Sequence, residues 1–151
     1  MRYKAGKIGR VFVVEFDHDD QVIDNIVDIA KREDIRAGIF YLLGGIKNAD
    51  IVVGPEKEEL PPEPVWRRLD ESYEAVGMGT IFWHDNEPKV HFHGAFGKKD
   101  NVKVGCLRGF SETFIIMEGI ILEIKGVEAT REIDPATGLA LLRIIYHVTP
   151  T

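Results

Sequence analysis

Three consecutive stretches decide the fold class: Tyr73-Glu74-Ala75-Val76-Gly77-Met78-Gly79-Thr80-Ile81-Phe82-Trp83, then Asp85-Asn86-Glu87-Pro88, then Lys89-Val90-His91-Phe92-His93-Gly94-Ala95-Phe96. The outer two carry the β-branched and aromatic residues that fit a pleated surface, and the middle one is turn chemistry, so two successive strands are expected. The same pattern continues to the C-terminus. Val102 to Cys106, Thr113 to Ile124, Val127 to Ile133 and Leu139 to His147 read as strands, with Gly97-Lys98-Lys99-Asp100-Asn101 and Asp134-Pro135-Ala136-Thr137-Gly138 among the turns between them.

Toward the N-terminus the pattern changes once. Val11 to Phe16 has strand composition, and Asp17-His18-Asp19-Asp20 offers a turn with helix N-cap candidates. Val22, Ile23, Ile26, Val27, Ile29 and Ala30 then recur at three- and four-residue spacing, which predicts a one-faced amphipathic helix packed on a sheet and ending near Lys31-Arg32-Glu33-Asp34. Ala37 to Leu43 is an apolar run too short for a typical helix. Gly44-Gly45 is expected to close it before Ile46 to Val53 resumes in extended form, either as a tight turn or as a place where backbone closely approaches a ligand or a neighbouring subunit. Pro55 to Leu69, charged and proline-rich, reads as a long loop, with Trp66 available to anchor it against its own sheet or a partner chain. One helix and many strands make an α+β domain, and 151 residues with 44% hydrophobic content support a single domain over 1–151.

Charge and cysteine content narrow the function classes. Acidic residues number 25 against 19 basic ones, a net charge of −6, so the average field repels nucleic acid and anionic membrane. Basic residues come in pairs, Lys31-Arg32, Arg67-Arg68 and Lys98-Lys99, and none extends into a basic stripe. A single cysteine excludes an intrachain disulfide, and no apolar run is long enough to span a bilayer, so the cytoplasm is the expected location.

The candidate site lies in the stretch 89–96. Strand side chains alternate faces, so His91 and His93 project the same way with Cα atoms roughly 7 Å apart, while Val90, Phe92 and Phe96 face the opposite side. Cys106, from the next strand, is a candidate third ligand. Two imidazole nitrogens and one thiolate suit zinc and leave a position open for water or substrate. The plainer alternatives are a hydrogen-bonded histidine pair on the surface and a cysteine that is a small buried hydrophobe. Glu118 interrupts the apolar run Phe114 to Leu122, where an unpaired carboxylate is costly. It is expected either to pair with an arginine such as Arg108 or Arg131 or to orient a ligating histidine from behind.

The order of segments resembles the plants-and-prokaryotes conserved (PPC) domain family. The resemblance rests on Ala37 to Ala49, Tyr73-Glu74 leading to His91-Phe92-His93-Gly94, Gly105-Cys106-Leu107, and Thr113 to Glu118, and it covers nearly the whole chain. Its most specific part is a His-x-His segment, a Gly-His-Leu segment and a strand containing glutamate. Here the family's Gly-Gly-His-Leu is Val104-Gly105-Cys106-Leu107, so the third histidine is replaced by Cys106, which either preserves a softer site or marks one without metal. The resemblance implies a mostly antiparallel, strongly bent sheet with one main helix, assembled as a homotrimer, and a stand-alone prokaryotic domain of the kind often labelled DNA-binding.

Three functions are therefore open. The first is a homotrimeric domain of unresolved biochemical role with a His91/His93/Cys106 metal site, zinc being the candidate ion, that is either structural or holds a small-molecule ligand. The second is a DNA-binding transcriptional regulator, which the net charge disfavours. The third is a zinc-dependent hydrolase-like enzyme with Glu118 or Glu74 as general base, although no hydrolase signature accompanies these residues.

Overall fold

In the computed structural model, which describes residues 1–146, one helix and ten strands form a mostly antiparallel, open and curled sheet. The strands are β1 (Lys7–Asp17), β2 (Ala37–Lys47), β3 (Ala49–Pro55), β4 (Pro64–Leu69), β5 (Tyr73–His84), β6 (Glu87–Lys98), β7 (Asn101–Arg108), β8 (Glu112–Lys125), β9 (Ala129–Ile133) and β10 (Ala140–Ile144). The helix α1 spans Val22–Arg32. Across the sheet the order is β1-β8-β2-β5-β6-β7-β3-β4, and the β9–β10 hairpin joins β5 through one parallel pairing of Trp83 with Thr130. The α+β expectation holds. His147, placed at the end of the last predicted strand, lies outside the described residues.

The helix buries the face that its periodicity marks. Val22, Ile26 and Ala30 pack into a core with Phe16, Phe40, Phe92, Phe96 and Ile121. Burying a Val or Ile side chain is worth about 1.5–3 kcal/mol, which is why this one stripe holds the helix on the sheet. Its N-cap is Gln21, not one of Asp17 to Asp20, and Gln21 makes no side-chain cap bond. Asp20 instead uses its carboxylate to accept from the Asp17 backbone N–H at 2.9 Å.

Two boundaries differ from expectation. Gly44-Gly45 does not close a strand: β2 runs through to Lys47, and the chain turns at Asn48, whose φ is 51°. The glycines make a bulge in the pairing of β2 with β8, and a Cβ on Gly44 would stand 2.5 Å from the Ile116 carbonyl oxygen. Close backbone approach explains the pair, with the approaching backbone coming from this chain's own neighbouring strand. The loop expected over Pro55 to Leu69 is shorter, because Pro64 to Leu69 forms β4 and pairs Ala49↔Leu69 through Val52↔Trp66 with β3. The prolines there obscured an edge strand, where a missing N–H can face solvent.

Candidate metal centre

The hairpin of β6 and β7 builds the site. His93 stands directly opposite Cys106, and residues directly opposite across a strand pair share a face of the sheet. His91, two residues along β6, is on that same face. Gly105 allows β3 to close against β7, since a Cβ there would lie 2.7 Å from the Val52 carbonyl oxygen, and Val52 in turn pairs with Cys106 and with Trp66.

The donor atoms of His91, His93 and Cys106 all lie within 4.8 Å of one another. The two Nε2 atoms are 3.0 Å apart, with the rings edge to face at a centroid distance of 4.8 Å. A tetrahedral zinc with ligand bonds of about 2.0–2.3 Å separates its ligand atoms by roughly 3.3–3.8 Å, so small side-chain rotations bring the three into one coordination sphere. The imidazoles are accessible and the thiol is buried.

Electrostatics suit ligation by the neutral His91 ring and keep Cys106 as a thiol until a cation displaces its proton. Partial loss of water around the His91 ring, followed by the positive fields of His93, Arg131 and Arg108, pulls its pKa down to about 4. A neutral His91 lone pair is therefore available at neutral pH. Burial pushes the Cys106 thiol up, and Arg108 and Arg131 oppose that shift. Binding a cation at the thiol must then expel a proton.

The triad adjoins two cavities. One, of about 430 Å³, is mainly apolar and is lined by Val52, Pro62, Pro64, Trp66, His93 and Cys106, together with Arg108 and Leu139. The other, of about 200 Å³, is lined by Lys89, His91, Arg108, Arg131 and the β10 residues Ala140 and Leu141, again with Leu139. Arg108 and Leu139 belong to both.

The structure does not bring Glu74 or Glu118 into this group within the protomer. Glu74 pairs with Gly97 at the far end of β5, whereas His91 pairs with Thr80. Glu118 is exposed on β8, which β2 and β5 separate from β6, and stands opposite Glu15 and Leu43. β8 is central, but Glu118 points away from the core, because the buried face carries Met117, Gly119, Ile121 and Glu123. It forms no ion pair with Arg108 or Arg131. Arg108, Arg131, Trp66 and Leu139 are the residues that sequence reasoning did not assign to the site. The i, i+2 alternation that joined His91 to His93 also joins Cys106 to Arg108; Arg131 reaches the site only through the distant pairing of β9 with β5.

The fold and this side-chain group define an α+β protein with a His/His/Cys cluster on a curled sheet. The chain belongs to the Plants and Prokaryotes Conserved (PCC) domain family, whose pattern matches residues 3–125. It is similar to the plant- and prokaryote-conserved protein of Pyrococcus horikoshii, with 26% identity, a TM-score of 0.82, and coverage of 97% of this chain and 100% of that one. It is also similar to a metal-containing protein from Archaeoglobus fulgidus, with 25% identity, a TM-score of 0.81, and coverage of 93% and 98%. Among curated proteins it matches the energy-coupling factor transporter ATP-binding protein EcfA of Methanocaldococcus jannaschii, 26% identical over 99 residues. That match takes in 66% of this chain, which spans only 30% of the length of that relative. No helix among the described residues is long and apolar enough to cross a membrane.

Proposed function

We propose that this protein is a homotrimeric zinc-binding domain whose metal centre, held by His91, His93 and Cys106, opens onto a small-molecule cleft. The observation that carries this reading is the convergence of the three donor atoms within 4.8 Å beside a 430 Å³ cavity. The similarity to a metal-containing protein supports it. Zinc bound there would supply Lewis acidity at an open coordination position. A thiol ligand with no disulfide partner fits a reducing compartment, hence the cytoplasm.

The trimer is supported by the outer face of the sheet. Val13, Ile120, Tyr41, Met78 and His93 stand side by side in register across β1, β8, β2, β5 and β6. Val13 is 84% exposed and its apolar neighbours are exposed as well, with Leu43, Val76 and Val104 adding a second row. Contiguous apolar strand faces of this kind mark association surfaces, and His93 places the metal centre at its margin. Elemental analysis of the purified chain, combined with light scattering, tests the reading: about one zinc per chain and a mass three times 17.0 kDa are expected. A metal-free protein that takes up no added zinc would remove the metal centre.

A further inference from the structure

We propose that the cleft beside the metal triad binds a small organic anion, its carboxylate or phosphate group held by Arg131 and Arg108 and its apolar body seated against Trp66. Arg131 is only 7% exposed. One of its terminal nitrogens donates to the Thr80 hydroxyl at 2.8 Å and the other to the Ala140 carbonyl at 3.4 Å, both neutral acceptors. Its Nε, also buried, has no hydrogen-bond partner. No carboxylate among the described residues forms an ion pair with Arg131 or Arg108, although the chain carries 25 acidic residues. Burial pulls the Arg131 pKa below its ordinary value, and the Cys106 sulfur only partly opposes that shift.

A buried guanidinium without a counterion is costly, and a bidentate anion is the partner that its planar fork fits. Both arginines line the 200 Å³ cavity with His91, and Arg108 continues into the apolar cavity walled by Trp66. Head and body of one molecule therefore have adjoining places. A divalent metal at the triad would add positive charge that one thiolate does not cancel, which strengthens the demand for an anion. The inference deepens the zinc reading but does not require it, since the arginines are in place without metal.

The test is calorimetric titration of the full chain, both chelator-treated and zinc-loaded, with benzoate, phenyl phosphate and the neutral benzyl alcohol. We expect one or both anions to bind at least about tenfold more tightly than benzyl alcohol in the chelator-treated protein, and the stronger of the two identifies the head group. Arg108→Gln, at an exposed position, should lower anion affinity about tenfold and leave benzyl alcohol unaffected; Arg131→Lys, which keeps the charge without the fork, should also weaken it. Equal affinity for charged and neutral probes, or anion binding indifferent to Arg108→Gln, overturns the proposal. Arginine-dependent anion binding to a protein that takes up no zinc upholds it while refuting the metal centre. Zinc uptake with no anion preference does the reverse.

Discussion

Two nearly buried charges, Glu123 at 1% exposure and Arg131 at 7%, are treated in opposite ways. Glu123 sits on β8 with its counterions built into the chain. Its Oε2 accepts from Arg10 Nε at 3.0 Å and from the Arg10 backbone N–H at 3.2 Å, and Lys125 Nζ lies 2.6 Å from Oε1. Arg10 also reaches the Glu33 carbonyl at 2.6 Å, so one network joins β1, β8 and the C-terminal end of α1, where a cation is favoured. Arg131 has neutral acceptors only. A charge buried to hold the fold brings its partner from the same chain, whereas a charge buried for a ligand leaves that place open.

The largest test asks whether the missing partner of Arg131 comes from a neighbouring subunit. Ile120→Glu puts a charge in the middle of the exposed apolar row, and the expected outcome is a fall in light-scattering mass from trimer to monomer with far-UV circular dichroism unchanged. Affinity for the benzoate or phenyl phosphate probe should stay within about twofold, because both arginines and the triad belong to one protomer. A large gain in anion affinity on dissociation would show that a neighbour's carboxylate had filled the site, and the contrast with Glu123 would disappear.

Next in size is metal loading. His93→Ala and Cys106→Ser should each lower zinc affinity more than about a hundredfold, beyond the cost of losing a supporting residue, as measured by competition with a chromogenic chelator. Because burial raises the Cys106 thiol, zinc binding at neutral pH should release about one proton per chain, read as the dependence of calorimetric heat on buffer ionisation enthalpy. Cys106→His, which supplies an imidazole already neutral at that pH, should retain zinc and release far less.

Glu123→Gln probes the other charge. Removing a carboxylate that accepts several charge-assisted bonds should cost about 1–3 kcal/mol in denaturant unfolding. Hydrogen bonding from Arg10 holds the Glu123 pKa near 2, below its ordinary value of 4.5. Its folded-state pKa is depressed, so its contribution is complete above pH 4.5 and is lost as pH falls toward 2. The variant should lack that part of the acid dependence.

Legibility in the sequence followed the range of the interactions. The amphipathic stripe of α1, the strands β5 to β8 and the His91/His93 pair are local periodicities, and each appears where the pattern places it. Cys106 was legible because a single short turn at Lys99-Asp100 returns the chain beside β6. Which way Glu118 faces is not legible, because both faces of β8 are apolar, one covered by core and the other an exposed row, and alternation cannot say which is which. Arg131 was invisible for a different reason: β9 docks on β5 across some fifty residues, and no local pattern encodes that contact.

The smallest expected effect concerns DNA, and it extends the same contrast to the surface. Of the basic pairs visible in the sequence, Lys31 is matched by Glu87 at 2.8 Å, Arg68 by Asp50 at 2.8 Å and Lys98 by Glu71 at 2.9 Å. Each productive phosphate contact needs a cation free to release its own counterions, and these already have carboxylate partners. The proposed trimerisation would multiply a net charge of −6 as well as any basic rim. The expected result of an anisotropy titration with duplex DNA in roughly 0.15 M salt is weak binding without sequence preference, changed less than about twofold by Lys98→Ala with Lys99→Ala. Arg108 and Arg131, which have no carboxylate partner among the described residues, line a cavity of about 200 Å³, far too small to take a duplex. Sequence-specific affinity near 10⁻⁸ M would mean that the surface pairs exchange carboxylate for phosphate, and would make the regulator the leading function.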